Sequence, residues 1–228
     1  MTPVETSRPE AVLLDIEGTV GSTGFVHDVL FPYARARLTR FVTANREDVS
    51  VAQQLQDVER QTGASGLDEQ ISVLQRWHDE GRKVTALKAI QGLIWNAGYA
   101  SGELVSDPYD DAVAAVKRWS IAGLPVFIYS SGSVLAQKLY FAHTAAGDLT
   151  PKLRGHFDTT MGPKNEPQSY FSIRRAIGGD LKLTFLSDSA LELVAASAAG
   201  LRSIQVRRPG FTGARYSPFV ASFDDLHF

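Results

Sequence analysis

Three short apolar runs in this sequence each finish in a polar residue able to do chemistry. Ala11-Val12-Leu13-Leu14 ends at Asp15, Val126-Phe127-Ile128-Tyr129 at Ser130-Ser131, and Leu183-Thr184-Phe185-Leu186 at Ser187-Asp188. Runs without polar alternation suit strands covered on both faces, as in a parallel sheet. Helical patterns fall between them, at Asp111 to Ala122, Gln168 to Ile177 and Ala190 to Gly200, and Ser203-Ile204-Gln205-Val206 offers a fourth strand. The expectation is an α/β fold with a Rossmann-like parallel sheet as its core. Open sheets of this kind bind ligands at the carboxyl ends of their strands, so three polar endings on one edge predict a site there.

The stretch between the first strand and Asp111 has a different character. Leu30, Tyr33, Ala34, Leu38 and Phe41 recur at helical spacing, as do Val51, Leu55 and Val58, and then Ile71, Leu74, Trp77 and His78. Gly63-Ala64-Ser65-Gly66 interrupts the series as a loop. The pattern predicts a helical insert over 25–105, with 1–24 and 106–228 forming the α/β core. A length of 228 residues fits this division, being about one and a half times a typical domain.

Composition narrows the chemistry. With 23 basic and 25 acidic residues the net charge is -2, so no general attraction to nucleic acid or to an anionic membrane surface is built in. There are no cysteines, which excludes disulfides, thiolate nucleophiles and thiolate metal sites, and leaves oxygen or imidazole ligands for any ion. The start, MTPVETSRPE, lacks a basic segment followed by an apolar one, which predicts a cytoplasmic address. The longest uncharged segment, Trp119 to Gln137, is broken by Pro125, Gly132 and several serines, so no membrane span is expected. The histidines His27, His78, His143, His156 and His227 show no paired metal spacing and are expected on the surface or in packing.

Four segments remain that could carry chemistry. Asp15 and Glu17 lie two positions apart at a strand end, a spacing that points both side chains the same way if the backbone stays extended. Ser130-Ser131-Gly132-Ser133 opens a helix and offers hydroxyls and N–H groups to an anion. Lys164 stands in the turn-rich Met161-Gly162-Pro163-Lys164-Asn165-Glu166-Pro167. Asp188 ends a strand, and Glu192 follows in the first turn of a helix. Taken singly, each has an ordinary explanation: a solvated loop, a serine cap, a surface charge, an aspartate cap, and a glutamate complementing the helix dipole. Together, two acids, an anion-binding turn, a lysine and another acid in α/β order make a set for phosphoryl transfer onto Asp with a magnesium ion.

In this order and spacing the segments resemble the haloacid dehalogenase superfamily of aspartate-nucleophile phosphatases. Within it, they resemble the enolase-phosphatase (acireductone synthase) family of methionine salvage. DIEGT, FVHDVLFPYA, IWNAGYASGEL, YSSGSVLAQKLYF, GDLT, FDT, GPKNEPQSY and FLSDSALEL carry the likeness over nearly the whole chain. The resemblance implies a haloacid dehalogenase-like core with an inserted helical cap. It implies Asp15 as the nucleophile that forms an aspartyl-phosphate, and Glu17 as general acid/base. One Mg²⁺ would be held by the Asp15 carboxylate, the Glu17 backbone carbonyl and Asp188. Ser130 and Ser131 would bind phosphoryl oxygens, and Lys164 would neutralise charge between Asp15 and the phosphate. The implied substrate is a small phosphorylated diketone, 2,3-diketo-5-methylthiopentyl 1-phosphate, handled by a monomer. In the insert, Phe25, Phe31, Trp95 and Tyr99 are the aromatics from which a wall for the methylthio tail would be drawn, at least two of them being expected in the core.

This chain departs from the family's usual pattern after DIEGT, where it has Val20-Gly21-Ser22-Thr23-Gly24, and glycine's freedom predicts a more flexible flap. Two rivals stand beside the enolase-phosphatase expectation: a plain phosphatase of the same superfamily acting on another small ester, and a non-catalytic binding module of this fold. The second gives no reason to keep Asp15, Lys164 and Asp188 together.

Overall fold

The computed structural model describes residues 10–178 and 181–228, so most of the amino-terminal stretch used to predict the cellular address lies outside it. The chain divides into two compact units, one formed by the described residues up to Thr23 together with Ser106–Phe228, the other by Gly24–Val105.

The first unit is built on a six-stranded parallel sheet of order β3-β2-β1-β4-β5-β6. Its strands are β1 (Glu10–Leu14), β2 (Val126–Tyr129), β3 (Gly155–Phe157), β4 (Lys182–Ser187), β5 (Arg202–Val206) and β6 (Phe219–Val220). β1 and β4 occupy the middle, which is why their apolar runs are continuous: Ala11 to Leu14 and Leu183 to Leu186 are all buried. The two outer strands β3 and β6 have three and two residues, too short to leave an apolar pattern, and the sequence reading does not find them.

One face of the sheet packs against α7 (Pro167–Ile177) and α8 (Ala190–Ala198). Leu13, Tyr129 and Phe185 from the strands meet Tyr170, Ile173, Leu193 and Ala196 from the helices. α5 (Asp110–Ile121) packs beside β2 and α6 (Val134–Ala142) beside β3. The helices begin within a residue of the expected positions.

The second unit is helical. A π-helical turn, Phe25–Leu30, leads into α1 (Phe31–Ala44), followed by α2 (Val49–Thr62), α3 (Leu67–Asp79) and α4 (Thr85–Ala100). Their buried faces follow the apolar spacing: Ala34, Leu38 and Val42 in α1, Val51, Leu55 and Val58 in α2, and Ile71, Leu74 and Trp77 in α3. Asp48 caps α2 through the Ser50 and Val51 N–H groups, and Gly63 closes it in the left-handed region. Of the four aromatics singled out in the sequence, Trp95 and Tyr99 are core residues, and Trp95 Nε1 donates to the Leu30 carbonyl at 2.8 Å. Phe25 and Phe31 are part-exposed.

Candidate active site

Strand register brings the predicted residues to one edge. Leu14 pairs with Ile128 on one side and Leu186 on the other, so the residues that follow, Asp15, Ser130 and Asp188, emerge together at the carboxyl end of the sheet. Asp15 is held there by its own N–H, which donates to the Leu186 carbonyl at 3.0 Å.

Lys164 joins them although it lies on a loop 149 positions away from Asp15. Its Nζ donates to Asp15 Oδ1 at 2.5 Å and lies 2.7 Å from Glu192 Oε2. The loop is fixed from α7: the Tyr170 hydroxyl donates to the Lys164 carbonyl and the Ser169 hydroxyl to the Pro163 carbonyl, both at 2.7 Å. Burial alone would lower the lysine's pKa, but the charges of Asp15 and Glu192 outweigh it and hold the ammonium above its ordinary range. Glu192 moves upward, first by burial and then by the nearby Asp15 charge. One buried cation thus stands between two buried or half-buried carboxylates and offsets their charge at the edge where the strands end.

The loop after β1 is tightly wound. The N–H groups of Thr19, Val20 and Gly21 all turn back to the Ile16 carbonyl, and Gly18 N–H donates to the Gly21 carbonyl at 2.8 Å. These bonds form an isolated parallel bridge between Glu17 and Gly21, and the turn closes between them. Gly18 takes φ 72°, and a Cβ there would overlap the Asp188 carboxylate. A Cβ on Gly21 would overlap the Tyr140 hydroxyl. Gly21 therefore serves close packing within a hydrogen-bonded turn. Thr19 is fully buried; its hydroxyl donates to Asp15 Oδ2 at 3.2 Å and accepts from Asp188 N–H at 3.0 Å.

Ser130 is buried at the end of β2, and its Oγ accepts from Gly132 N–H at 3.2 Å, leaving the hydroxyl proton to donate. Ser131 is exposed. The α6 end offers fewer N–H groups to an anion than the sequence suggests. Val134 N–H donates to Asp158 Oδ2 and Ala136 N–H to Ser133 Oγ, which is the N-cap. The cap expected as the ordinary role for a serine here is taken by Ser133.

Comparison with known proteins agrees with this geometry. The model of the haloacid dehalogenase-like hydrolases matches residues 9–200. Enolase-phosphatase E1 of Pseudomonas fluorescens (strain Pf0-1) is 48% identical over 204 residues, covering 88% of this chain and 90% of that protein. The protein of the same name from Methylococcus capsulatus is 45% identical over 219 residues, covering 95% and 96%. This chain belongs to the haloacid dehalogenase-like hydrolases, in the enolase-phosphatase E1 family. Among solved structures, this hydrolase is similar to the UTR4 protein of Saccharomyces cerevisiae, with a TM-score of 0.82 and 34% identity over 96% of this chain and all of that one. CbbY of Rhodobacter sphaeroides, solved in complex with phosphate, shares the fold with a TM-score of 0.60 at 19% identity.

Haloacid dehalogenase-like phosphatases generally use Mg²⁺, and the donors in this hydrolase suit such an ion. Asp188 is pushed up to about 6, by burial and then by the charge of Asp15, with Glu17 adding a smaller push. Carboxylates that raise one another in this way are relieved by a hard cation with oxygen ligands. Among the described residues no three His, Asp or Glu side chains converge as a ready cage. Asp188 does not cap α8: Ser189 is the N-cap, without a side-chain bond, and its N–H donates to Ser187 Oγ at 3.1 Å.

Glu192 lies in the first turn of α8 as the sequence predicts, but its part in the site is not visible there. Its position in the first turn of α8 suggests a dipole complement, but its side chain accepts from Ser187 Oγ at 2.9 Å and meets Lys164.

Proposed function

We propose that this chain is a bifunctional enolase-phosphatase that converts 2,3-diketo-5-methylthiopentyl 1-phosphate to acireductone and phosphate in methionine salvage. The observation that carries the chemistry is the buried contact of Lys164 with Asp15 at the carboxyl edge of the sheet. The 45–48% identity to enolase-phosphatase E1 proteins along most of the chain supports the choice of substrate.

In this reading a carboxylate oxygen of Asp15 attacks phosphorus. The new O–P bond forms as the bond from phosphorus to the substrate oxygen breaks, giving an aspartyl-phosphate. Glu17 protonates the leaving oxygen and then takes a proton from the water that cleaves the acyl-phosphate. Lys164 offsets the charge between Asp15 and the incoming dianion, and Ser130 and Ser131 donate to phosphoryl oxygens. Asp15, the Glu17 backbone carbonyl and Asp188 would hold one Mg²⁺, which when bound supplies positive charge to a phosphoryl oxygen and to the developing enolate. The helical unit is assigned as the cap, with Phe25 and Phe31 as the aromatics still open for an apolar tail. We place the protein in the cytoplasm as a monomer acting on a small molecule, consistent with a net charge of -2; no described helix is long and apolar enough to cross a membrane.

The deciding experiment supplies the diketo phosphate with Mg²⁺ and follows the enolic product and free phosphate together. Both should appear. Phosphate from other esters without the enediol would overturn the substrate in favour of a plain phosphatase, and release of neither product would overturn the enzyme reading altogether.

A further inference from the structure

The carbonyl of Thr19 is gripped by a residue from the far end of the same unit. Arg208, just beyond β5, donates to it twice, from Nε at 2.9 Å and from Nη2 at 2.6 Å. Its third arm, Nη1, reaches Asp111 Oδ2 at 2.6 Å, and the two side chains are only 10% and 16% exposed. The guanidinium is sandwiched near two rings, 4.3 Å from the Tyr109 centroid and 4.9 Å from that of Phe223. Asp111 is itself fixed by Phe223 N–H at 2.8 Å and the Ser222 hydroxyl at 3.0 Å. A planar fork held by a carboxylate and two rings has one available direction, and that direction is the Thr19 peptide.

Thr19 is the link between Asp15 and Asp188, since its hydroxyl bonds the carboxylate of one and the N–H of the other. We infer that Arg208 is a positioning residue for phosphoryl transfer, holding the Thr19 peptide so that its hydroxyl keeps the Asp15 carboxylate in register with the residue at 188. Nothing in the set of phosphate-binding or metal-binding residues requires Arg208. It contacts none of Asp15, Glu17, Lys164 or Asp188 in its hydrogen bonds, and acts one residue removed. The carboxyl-terminal segment, through Ser222 and Phe223, is thereby tied to the catalytic edge. The inference rests on Asp15 being the nucleophile of the proposed function.

The test is a double-mutant cycle between Arg208→Gln and Thr19→Val, read as kcat and KM. Loose orientation of a reacting group costs up to about a hundredfold, so Arg208→Gln should lower kcat by about ten- to a hundredfold while KM stays within about threefold. In the Thr19→Val background, where the hydroxyl link is already gone, the same change should cost less than about threefold, because residues acting in one chain are not additive. Equal losses in both backgrounds, or a loss confined to KM, would overturn the inference. Arg208→Lys, which keeps the charge but not the fork, should behave like Arg208→Gln and serves if that variant folds poorly.

Amide hydrogen exchange supplies a readout independent of turnover. In either variant Val20 and Gly21, whose N–H groups bond the Ile16 carbonyl, should exchange at least about tenfold faster while Phe185 and Leu186 in β4 keep their protection. Unchanged protection at Val20 and Gly21 would refute the hold on the loop. The kinetic cycle is run on both the diketo phosphate and p-nitrophenyl phosphate. Failure of the wild-type protein on the first substrate alone removes the proposed substrate and leaves the cycle intact; failure on both removes the phosphatase reading, and the exchange result then decides whether Arg208 holds the loop.

Discussion

Lys164 Nζ stands 2.5 Å from Asp15 Oδ1 with each side chain only 6% exposed. The pair is buried, so its energetics differ from those of a surface bridge. The cation is required by two carboxylates at once, since Glu192 lies 2.7 Å away on its other side.

Replacing Lys164 by Met should therefore harm both stability and activity. Removing one partner of a buried ion pair typically costs about 3–5 kcal/mol, because the remaining charge is left uncompensated. Here two carboxylates are left, and part of that loss is recovered when Glu192, already raised by burial, takes up a proton. Urea unfolding at pH 7 should show a lower midpoint, and phosphate release should be lost. A variant of wild-type stability would mean that the contact is energetically idle.

Asp15→Asn is expected to separate chemistry from folding. Lys164 keeps Glu192 as its counter-charge, and the Thr19 hydroxyl can still donate to the amide oxygen, so the fold should survive. Phosphate release should fall by at least about a thousandfold, as when the nucleophile of a covalent mechanism is removed. Circular dichroism and a phosphate assay check the two halves, and appreciable turnover would remove Asp15 from its assigned role.

How much of this was legible before the structure depends on the length of the signal. β1, β2 and β4 declare themselves as apolar runs because they are covered on both faces, and β5 shows through Ile204 and Val206, whereas Gly155–Phe157 and Phe219–Val220 pair only by virtue of their neighbours. Asp15, Ser130 and Asp188 are readable because strand ends are marked in the sequence and parallel register does the rest. Glu192 and Arg208 are not readable, since what defines them is a partner 28 or 189 residues away, Lys164 in one case and the Thr19 carbonyl in the other. The same limit applies to Gly21: the sequence shows that it is small, but only packing shows that the Tyr140 hydroxyl fills the space beside it.

The carboxyl group of Asp188 should give the protein an unusual dependence on pH. Its folded value is raised to about 6 from an ordinary 3.8, so between these values the native state binds more protons than the unfolded one. Stability from this group is then fully present below about pH 4 and is lost as pH rises through about 6. Adding Mg²⁺ above pH 6 should restore it, by binding only the folded state. Asp188→Asn should flatten this part of the profile, leave the protein insensitive to Mg²⁺ and abolish phosphate release. Thermal melts from pH 4 to 8, with Mg²⁺ or with a chelator, provide the measurement; because burial of His156, which lowers its value to about 4, shifts stability the opposite way over the same range, the Asp188 contribution is read as the difference between wild type and Asp188→Asn in chelator, and a difference that does not fall across this range would contradict the assignment.

The tight approach of Gly21 to Tyr140 predicts a substitution that is harmful only in company. Gly21→Ala places a methyl group where the Tyr140 hydroxyl lies, so either the ring or the loop must move. Overpacking of this kind costs about 1–3 kcal/mol. The loop shares its hydrogen bonds with Thr19, so displacement should also lower phosphate release. Tyr140→Phe removes the oxygen and leaves the ring carbon 3.1 Å from the new methyl, a contact that a small ring shift relieves. Gly21→Ala should therefore cost less stability and less activity in the Tyr140→Phe background than in the wild-type one. Urea midpoints and kcat for the two single variants and the double variant decide the matter: additive losses would show that the Tyr140 hydroxyl is not what makes the added methyl harmful.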